Sequence, residues 1–271
     1  MKPEQLISAV PLADAYSELH HVAMGLLLVQ ARVIPLFGAL PFMNRSLLPM
    51  TLGFGVSAGL GVLILPMLPD PLPLPGPVGL VFLFLKEGLI GLILGHVCAV
   101  PFWSLGVAGF VIDNQRGASI ASTLDPLTGQ DSSPLAQLLG LAFIAYFVSL
   151  GGLQILATLI FDSYRVWAPL DFWPKWSPAA ANLVLQQLNQ MMYVGLLLAA
   201  PVMMAMFMAE LGMALISRFV PQLQVFFLAM PVKSGLALFM LVIDVTTLFP
   251  DGYSHMRDFG TWVTRLAPLL H

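Results

Sequence analysis

Charge is what this sequence has least of. Asp, Glu, Lys and Arg make up 9% of its 271 residues, against about 25% in an ordinary soluble domain, and a water-facing surface cannot be built from so few. The formal net charge is −3 and no dense Lys/Arg block occurs, which excludes nucleic-acid binding through phosphate neutralisation. There is one cysteine, Cys98, so an intrachain disulfide and a Cys-based metal cluster are both excluded. Its apolar setting marks it as a small buried residue. The histidines, His20, His21, His96, His255 and His271, form no HExxH pattern and have no carboxylate at ligand spacing, so no metal and no cofactor is expected. No phosphate-binding GxxxxGK occurs, which leaves nucleotide-driven chemistry without a foothold. Asp113, Asp125 and Asp131 share one polar stretch but lack calcium-loop spacing, and they read as turn and cap residues.

Apolar residues fill the space that charge leaves, at 58% of the chain. Residues 47–68, 88–112, 132–161 and 176–209 contain no Asp, Glu, Lys or Arg, and each is long enough for the roughly 20-residue helix that spans a hydrocarbon core. Breaks at Pro, Gly and charge divide the chain into six apolar segments, about 20–40, 47–68, 78–104, 134–160, 188–216 and 224–249, which predicts an all-α membrane protein. Pro35, Pro101, Pro201 and Pro231 fall inside segments and predict kinks. Gly55 with Gly59, and Gly91 with Gly95, are spaced for close helix packing.

The connections differ in character. The run PDPLPLPGP at 69–77 is expected to be extended, because proline lacks an amide donor and biases its predecessor away from helix. Residues 105–133 read as a long central loop. Residues 161–187 carry Trp167, Trp173 and Trp176 among charges, a mixture suited to a membrane–water boundary. Near the N-terminus Lys2 is followed by Glu4, Asp14 and Glu18 before the first apolar run, the wrong order for a cleavable signal peptide, so this end is expected to be retained. Lys and Arg are distributed with a small bias toward cytoplasmic termini.

Arg32, Lys86, Glu87, Glu210, Lys233 and Asp244 lie in or beside apolar segments. A charge there needs a partner, a wet cavity or a neighbouring subunit. Lys233 and Asp244 share a helix face but stand about 16 Å apart along its axis, so they cannot pair. The inventory fits a stand-alone secondary transporter with a Glu210/Asp244 proton relay, or a subunit whose charges meet other chains. No two-fold internal repeat with matching interrupted helices is evident, which favours the subunit. The methionines crowding the fifth segment, Met191, Met192, Met203, Met204, Met206, Met208 and Met213, are read as packing residues that fill irregular gaps.

Residues 109–139 read GFVIDNQRGASIASTLDPLTGQDSSPLAQLL, and the segment from 209 reads AELGMALISRFVPQLQVFFLAMPVKSGLAL. Asp113, Gln115, Arg116 and Gly117, then Asp125 and Pro126 with Gly129 and Ser133, then Pro221, Gln222 and Phe226 leading to Pro231 and Lys233, form an ordered set. It resembles the T subunit of the type III secretion export apparatus, the family that includes the flagellar protein FliR. The resemblance covers almost the whole chain, and the charged Asp-x-Gln-Arg-Gly run looks more like the virulence injectisome branch than the flagellar one.

The resemblance implies a non-catalytic subunit of the bacterial inner-membrane export gate. Such a subunit joins R and S subunits, typically one T with five R and four S, into a helical assembly through which unfolded secreted proteins enter. The assembly sits largely on the periplasmic side, and its partners include the U switch subunit and the inner rod and needle proteins as well as membrane lipid. The fold is expected to be an R-like unit over about 1–187 followed by an S-like hairpin over about 188–271, stacked obliquely, and the buried charges are expected to lack partners within this chain. By resemblance the central loop contributes to the plug that closes the pore, with Asp113, Asn114, Gln115, Arg116, Gly117, Ala118, Ser119 and Ile120 as candidates. Pro221, Gln222, Lys233 and Asp244 are the expected subunit contacts.

Overall fold

The computed structural model describes residues 10–43, 49–69, 72–118, 133–171, 178–220 and 225–257, and the structural statements below concern these. They are helical, with no strand among them. Seven α-helices follow in order: α1 Val10–Ala39, α2 Met50–Ile64, α3 Pro77–Arg116, α4 Pro134–Ser149, α5 Gly152–Val166, α6 Pro178–Phe219 and α7 Val225–Arg257. Short 3-10 turns at Pro41–Met43 and Leu65–Met67 follow α1 and α2. Four helices are long and apolar enough to cross a membrane, or five if α4 and α5 count as one bent span. The chain is a multi-pass membrane protein.

Five of the six expected segments coincide with a single helix, and the fourth is divided. The division falls at Leu150–Gly151, where Gly151 takes φ +76°, a left-handed conformation that glycine adopts without a Cβ clash. Prolines occupy the first position of α3, α4 and α6, where the missing amide costs no hydrogen bond. Pro35, Pro101, Pro201, Pro231 and Pro250 sit inside helices that continue through them.

The largest departure from expectation concerns the central loop. Residues 105–116 are not loop but the last turns of the 40-residue α3. Their polar residues come late, at Asp113 to Arg116, and the preceding Leu105, Ala108 and Ile112 are fully buried, so packing carries the helix beyond the sequence-predicted boundary. α3 ends where Gly117 adopts φ +86°, the usual glycine stop at a helix C-terminus.

The chain forms two compact units. The first comprises Met1–Val97, Leu156–Ser177 and Val263–His271. In it, Leu28, Val29, Val33 and Leu36 of α1 and Leu83, Ile90 and Leu94 of α3 are buried. Gly91 and Gly95 allow α3 to approach α1 backbone to backbone: a Cβ on Gly91 would land on the Arg32 carbonyl oxygen, and one on Gly95 on that of Leu36. This pair packs as expected. Gly55 and Gly59 face open space instead. Trp167, expected at a membrane boundary, is buried.

The second unit comprises Cys98–Ile155 and Pro178–Trp262. Here α6 and α7 pack on each other as a long hairpin, and α7 also touches α4. Phe102 meets Phe143 and Phe147 edge-on at 5.1 and 5.3 Å between ring centroids, and Phe249 of α7 joins Phe143 and Tyr146. Met206 is buried while Met204 and Met208 are exposed, so the methionine-rich stretch packs in part and leaves the rest uncovered.

Candidate functional site

The Asp-x-Gln-Arg-Gly run is placed by the end of α3. Asp113 and Arg116 stand three residues apart on that last turn, a spacing at which helical side chains meet. Arg116 Nε and Nη2 both lie 2.6 Å from Asp113 Oδ1. The other carboxylate oxygen, Oδ2, accepts from the Ser133 hydroxyl at 2.5 Å and from the Leu135 backbone amide at 2.9 Å. Ser133 caps α4 by accepting from the Ala136 amide at 3.2 Å, as a serine at a helix N-cap does. One nearly buried carboxylate thus joins the last turn of α3 to the first turn of α4. The negative charge also lies at the positive end of the α4 dipole, which favours it. Asp113 thereby clamps the two ends of the connection between α3 and α4.

Close approach is built into the backbone beside this clamp. A Cβ on Gly109 would strike the α4 backbone at Leu135 and Ala136, and one on Gly195 of α6 would press on Val107 and the Ser104 carbonyl. Gln115 donates its side-chain amide to the Met203 carbonyl of α6 at 3.1 Å. Asn114 is exposed, and Gly117 and Ala118 follow the helix end. The structure therefore brings Asp113, Gln115 and Arg116 into one network. Ser119 and Ile120 lie outside the described residues, as do Asp125, Asp131, Pro221 and Gln222.

Of the remaining expected contacts, Lys233 lies 3.5 Å from Glu210 across the α6–α7 hairpin. Asp244 Oδ1 accepts from the Thr247 hydroxyl one turn along its own helix at 3.0 Å. Asp244 stands eleven residues beyond Lys233 on α7, about 16 Å along the axis, so it does not pair with the Glu210 that Lys233 engages. The two acids of the transporter alternative are not a direct relay pair.

The expectation that buried charges lack partners within the chain is corrected in the first unit. Arg32 Nε lies 2.6 Å from Glu87 Oε2, and Lys86 Nζ lies 2.8 Å from Glu87 Oε1, with the three side chains 0–3% exposed. Two cations share one anion, and helix-end carbonyls offset the excess. Arg32 donates to the Ser163 hydroxyl at 3.1 Å and to the Trp167 carbonyl at 3.0 Å. Lys86 donates to the carbonyls of Ala168, Pro169 and Asp171 at 3.2, 2.8 and 2.8 Å. These carbonyls lie just past the end of α5, where the helix dipole favours positive charge. The Arg32 guanidinium also sits 3.9 Å above the Tyr164 ring, a cation–π contact. An adjacent Lys–Glu pair within an apolar run was the visible signal. The partners on α5, scores of residues away, left no trace in spacing.

Among the described residues, no group of three or more His, Cys, Asp or Glu is placed to hold a metal ion. Among the described residues, the polar networks consist of acids held by bases, amides and hydroxyls.

Residues 23–258 match the family described as bacterial export proteins, family 1. The chain belongs to this family. Within it, the chain is 39% identical to Yop proteins translocation protein T of Yersinia pestis over 245 residues, 90% of this chain and 94% of that protein. It is 33% identical to the surface presentation of antigens protein SpaR of Salmonella typhimurium over 239 residues, 87% of this chain and 88% of that protein. Against the flagellar biosynthetic protein FliR of Bacillus subtilis it is 27% identical over 224 residues, 82% and 86% of the two chains. These identities place this export protein on the injectisome side of the family, as the charged Asp113–Gly117 run suggested.

Proposed function

We propose that this export protein is the non-catalytic T subunit of the inner-membrane export gate of a type III secretion system, assembled with R and S subunits into the portal for unfolded secreted proteins. The observation that carries the reading is the family match over residues 23–258, on a chain whose helices are long and apolar enough to cross a membrane. Relatives named as a translocation protein and as a flagellar biosynthetic protein are matched over 94% and 86% of their lengths, so the likeness is not confined to one part of the fold. On this reading residues of about 1–187, with the central loop, form the R-like part and residues of about 188–271 the S-like hairpin, and the U switch subunit and the inner rod and needle proteins are further partners.

Asp113 to Ile120 are the proposed plug contribution. The Asp113 clamp supports it on physical grounds, because a loop that must seal a pore needs a base fixed at both ends. Ordering a free loop costs about 1–2 kcal/mol per residue fixed, and a tied base lowers that cost.

The test is complementation in a host whose own T subunit has been deleted. Without the chain secretion is lost, and the wild-type chain restores it. Arg116→Ala, or removal of residues 117–119, is expected to leak ions, read by a membrane-potential dye, or to block export. Secretion that persists without the chain would overturn the function. Wild-type secretion with a tight membrane in both variants would overturn the plug assignment alone.

A further inference from the structure

Within the second unit, a cavity of about 410 Å³ opens between the end of α3 and the α6–α7 hairpin, with Gln115, Arg116, Glu210, Ala214, Ser217 and Lys233 in its wall. It brings together the Arg116 run and Lys233, more than a hundred residues apart in sequence. Two of its polar groups are poorly supplied. The Lys233 side chain is 12% exposed, and among the described residues its ammonium meets the Glu210 carboxylate at 3.5 Å. That is longer than the roughly 2.7–2.9 Å of a charge-assisted hydrogen bond, and an ammonium has three donors to place. Gln115 spends its amide nitrogen on the Met203 carbonyl, which fixes the orientation of the group and leaves Oε1 buried without a hydrogen-bond partner. Glu210, half exposed, adds a second acceptor to the same wall.

The wall therefore offers a spare donor beside spare acceptors. A purely anionic group, such as a lipid phosphate, would satisfy Lys233 but face Glu210 and the Gln115 oxygen. A purely cationic group would face Lys233, while the Arg116 charge is already met by Asp113. The match is a neutral group carrying both N–H and C=O, and a primary carboxamide supplies two donors and one acceptor. A cavity of this volume accommodates a projecting side chain. The apolar windows of α6 and α7 are 28% and 17% buried within the chain, against 39% for α1 and α3, which leaves helix surface free for a neighbour on the proposed assembly.

We infer that this cavity is a socket for an Asn or Gln side chain projecting from a helix of a neighbouring subunit. The inference rests on the proposed assembly and adds to it a contact made directly beside Arg116, at the base of the loop. Occupation of the socket supplies Gln115 Oε1 with a donor and Lys233 with an acceptor.

The test places a photo-crosslinking residue at Ala214 in the full chain, within membranes that contain the complete secretion apparatus, and weighs the assembly in parallel. The expected result is an adduct with another apparatus subunit that forms with or without secreted substrate. Lys233→Met should reduce it about tenfold, the equivalent of one hydrogen bond to a charged group, and Gln115→Leu should reduce it less. If the assembly forms but the adduct is with lipid, with this chain itself, or with secreted substrate alone, the socket is overturned and the assembly stands. An unchanged subunit adduct in Lys233→Met also overturns it. A chain that forms no assembly overturns both.

Discussion

Replacing Glu87 by Ala should cost about 3–5 kcal/mol, the penalty for removing one partner of a buried ion pair, and should strip the chain from membranes. The argument is electrostatic. Glu87 is the shared anion of Arg32 and Lys86, all at or near zero exposure, so its loss leaves two buried cations with carbonyls and one aromatic ring for company. Glu87→Gln keeps the shape and loses the charge, and is expected to cost nearly as much. Neutralising all three positions with apolar residues does not rescue the fold here. The buried carbonyls of Trp167 and Pro169 would lose their donors, and each buried unsatisfied group costs about 1–3 kcal/mol. By contrast, Glu210→Gln removes a half-exposed partner at 3.5 Å and should change stability by less than about 1 kcal/mol. Thermal unfolding of the purified chain in detergent, with membrane abundance beside it, checks the contrast. Equal stability of the Glu87 and Glu210 variants would show that the buried cluster is not what holds α5 to α1 and α3.

The second large effect is expected at Asp113. Asp113→Ala removes the ion pair with Arg116 and two further hydrogen bonds, to Ser133 and to the Leu135 amide, at about 2–4 kcal/mol given the worth of hydrogen bonds to a charged group. The damage is local, because the buried faces of α3 and α4 remain. The chain should therefore accumulate near wild-type levels while the membrane leaks ions and secretion falls. Asp113→Asn keeps one acceptor oxygen and should lie between, and Asp113→Glu should restore part of the function because it keeps the charge. A dye measurement of membrane potential together with a secretion assay reads both effects. Full tightness and secretion in Asp113→Ala would mean that the clamp has no part in the gate.

Much of this was legible in the sequence, for a definite reason. Where burial alone decides, as in the uncharged runs, composition marks where each helix lies, although α1 and α6 begin at Val10 and Pro178 rather than at about 20 and 188, and the Gly91/Gly95 spacing marks the face on which α3 meets α1. The prediction failed at 105–116, where polar side chains at Asp113–Arg116 suggested loop although they serve the helix end. A polar residue used to bond another element looks, in sequence, like one facing water. The same ambiguity hid the cluster at Arg32, Lys86 and Glu87. Their charges were visible, but their partners are mostly backbone carbonyls after α5, and a carbonyl has no letter in a sequence. Lys233 was singled out as a contact residue, but its neighbour Glu210 emerges only when α6 and α7 fold back on each other.

The central claim is that this export protein works as one subunit of a hetero-oligomeric gate. The most direct measurement is to co-express it with the R and S subunits of the same system, extract in mild detergent and weigh the product by native mass spectrometry. A discrete assembly holding one copy of this chain is the predicted result. A stable monomer or homodimer that leaves those subunits behind would contradict the account.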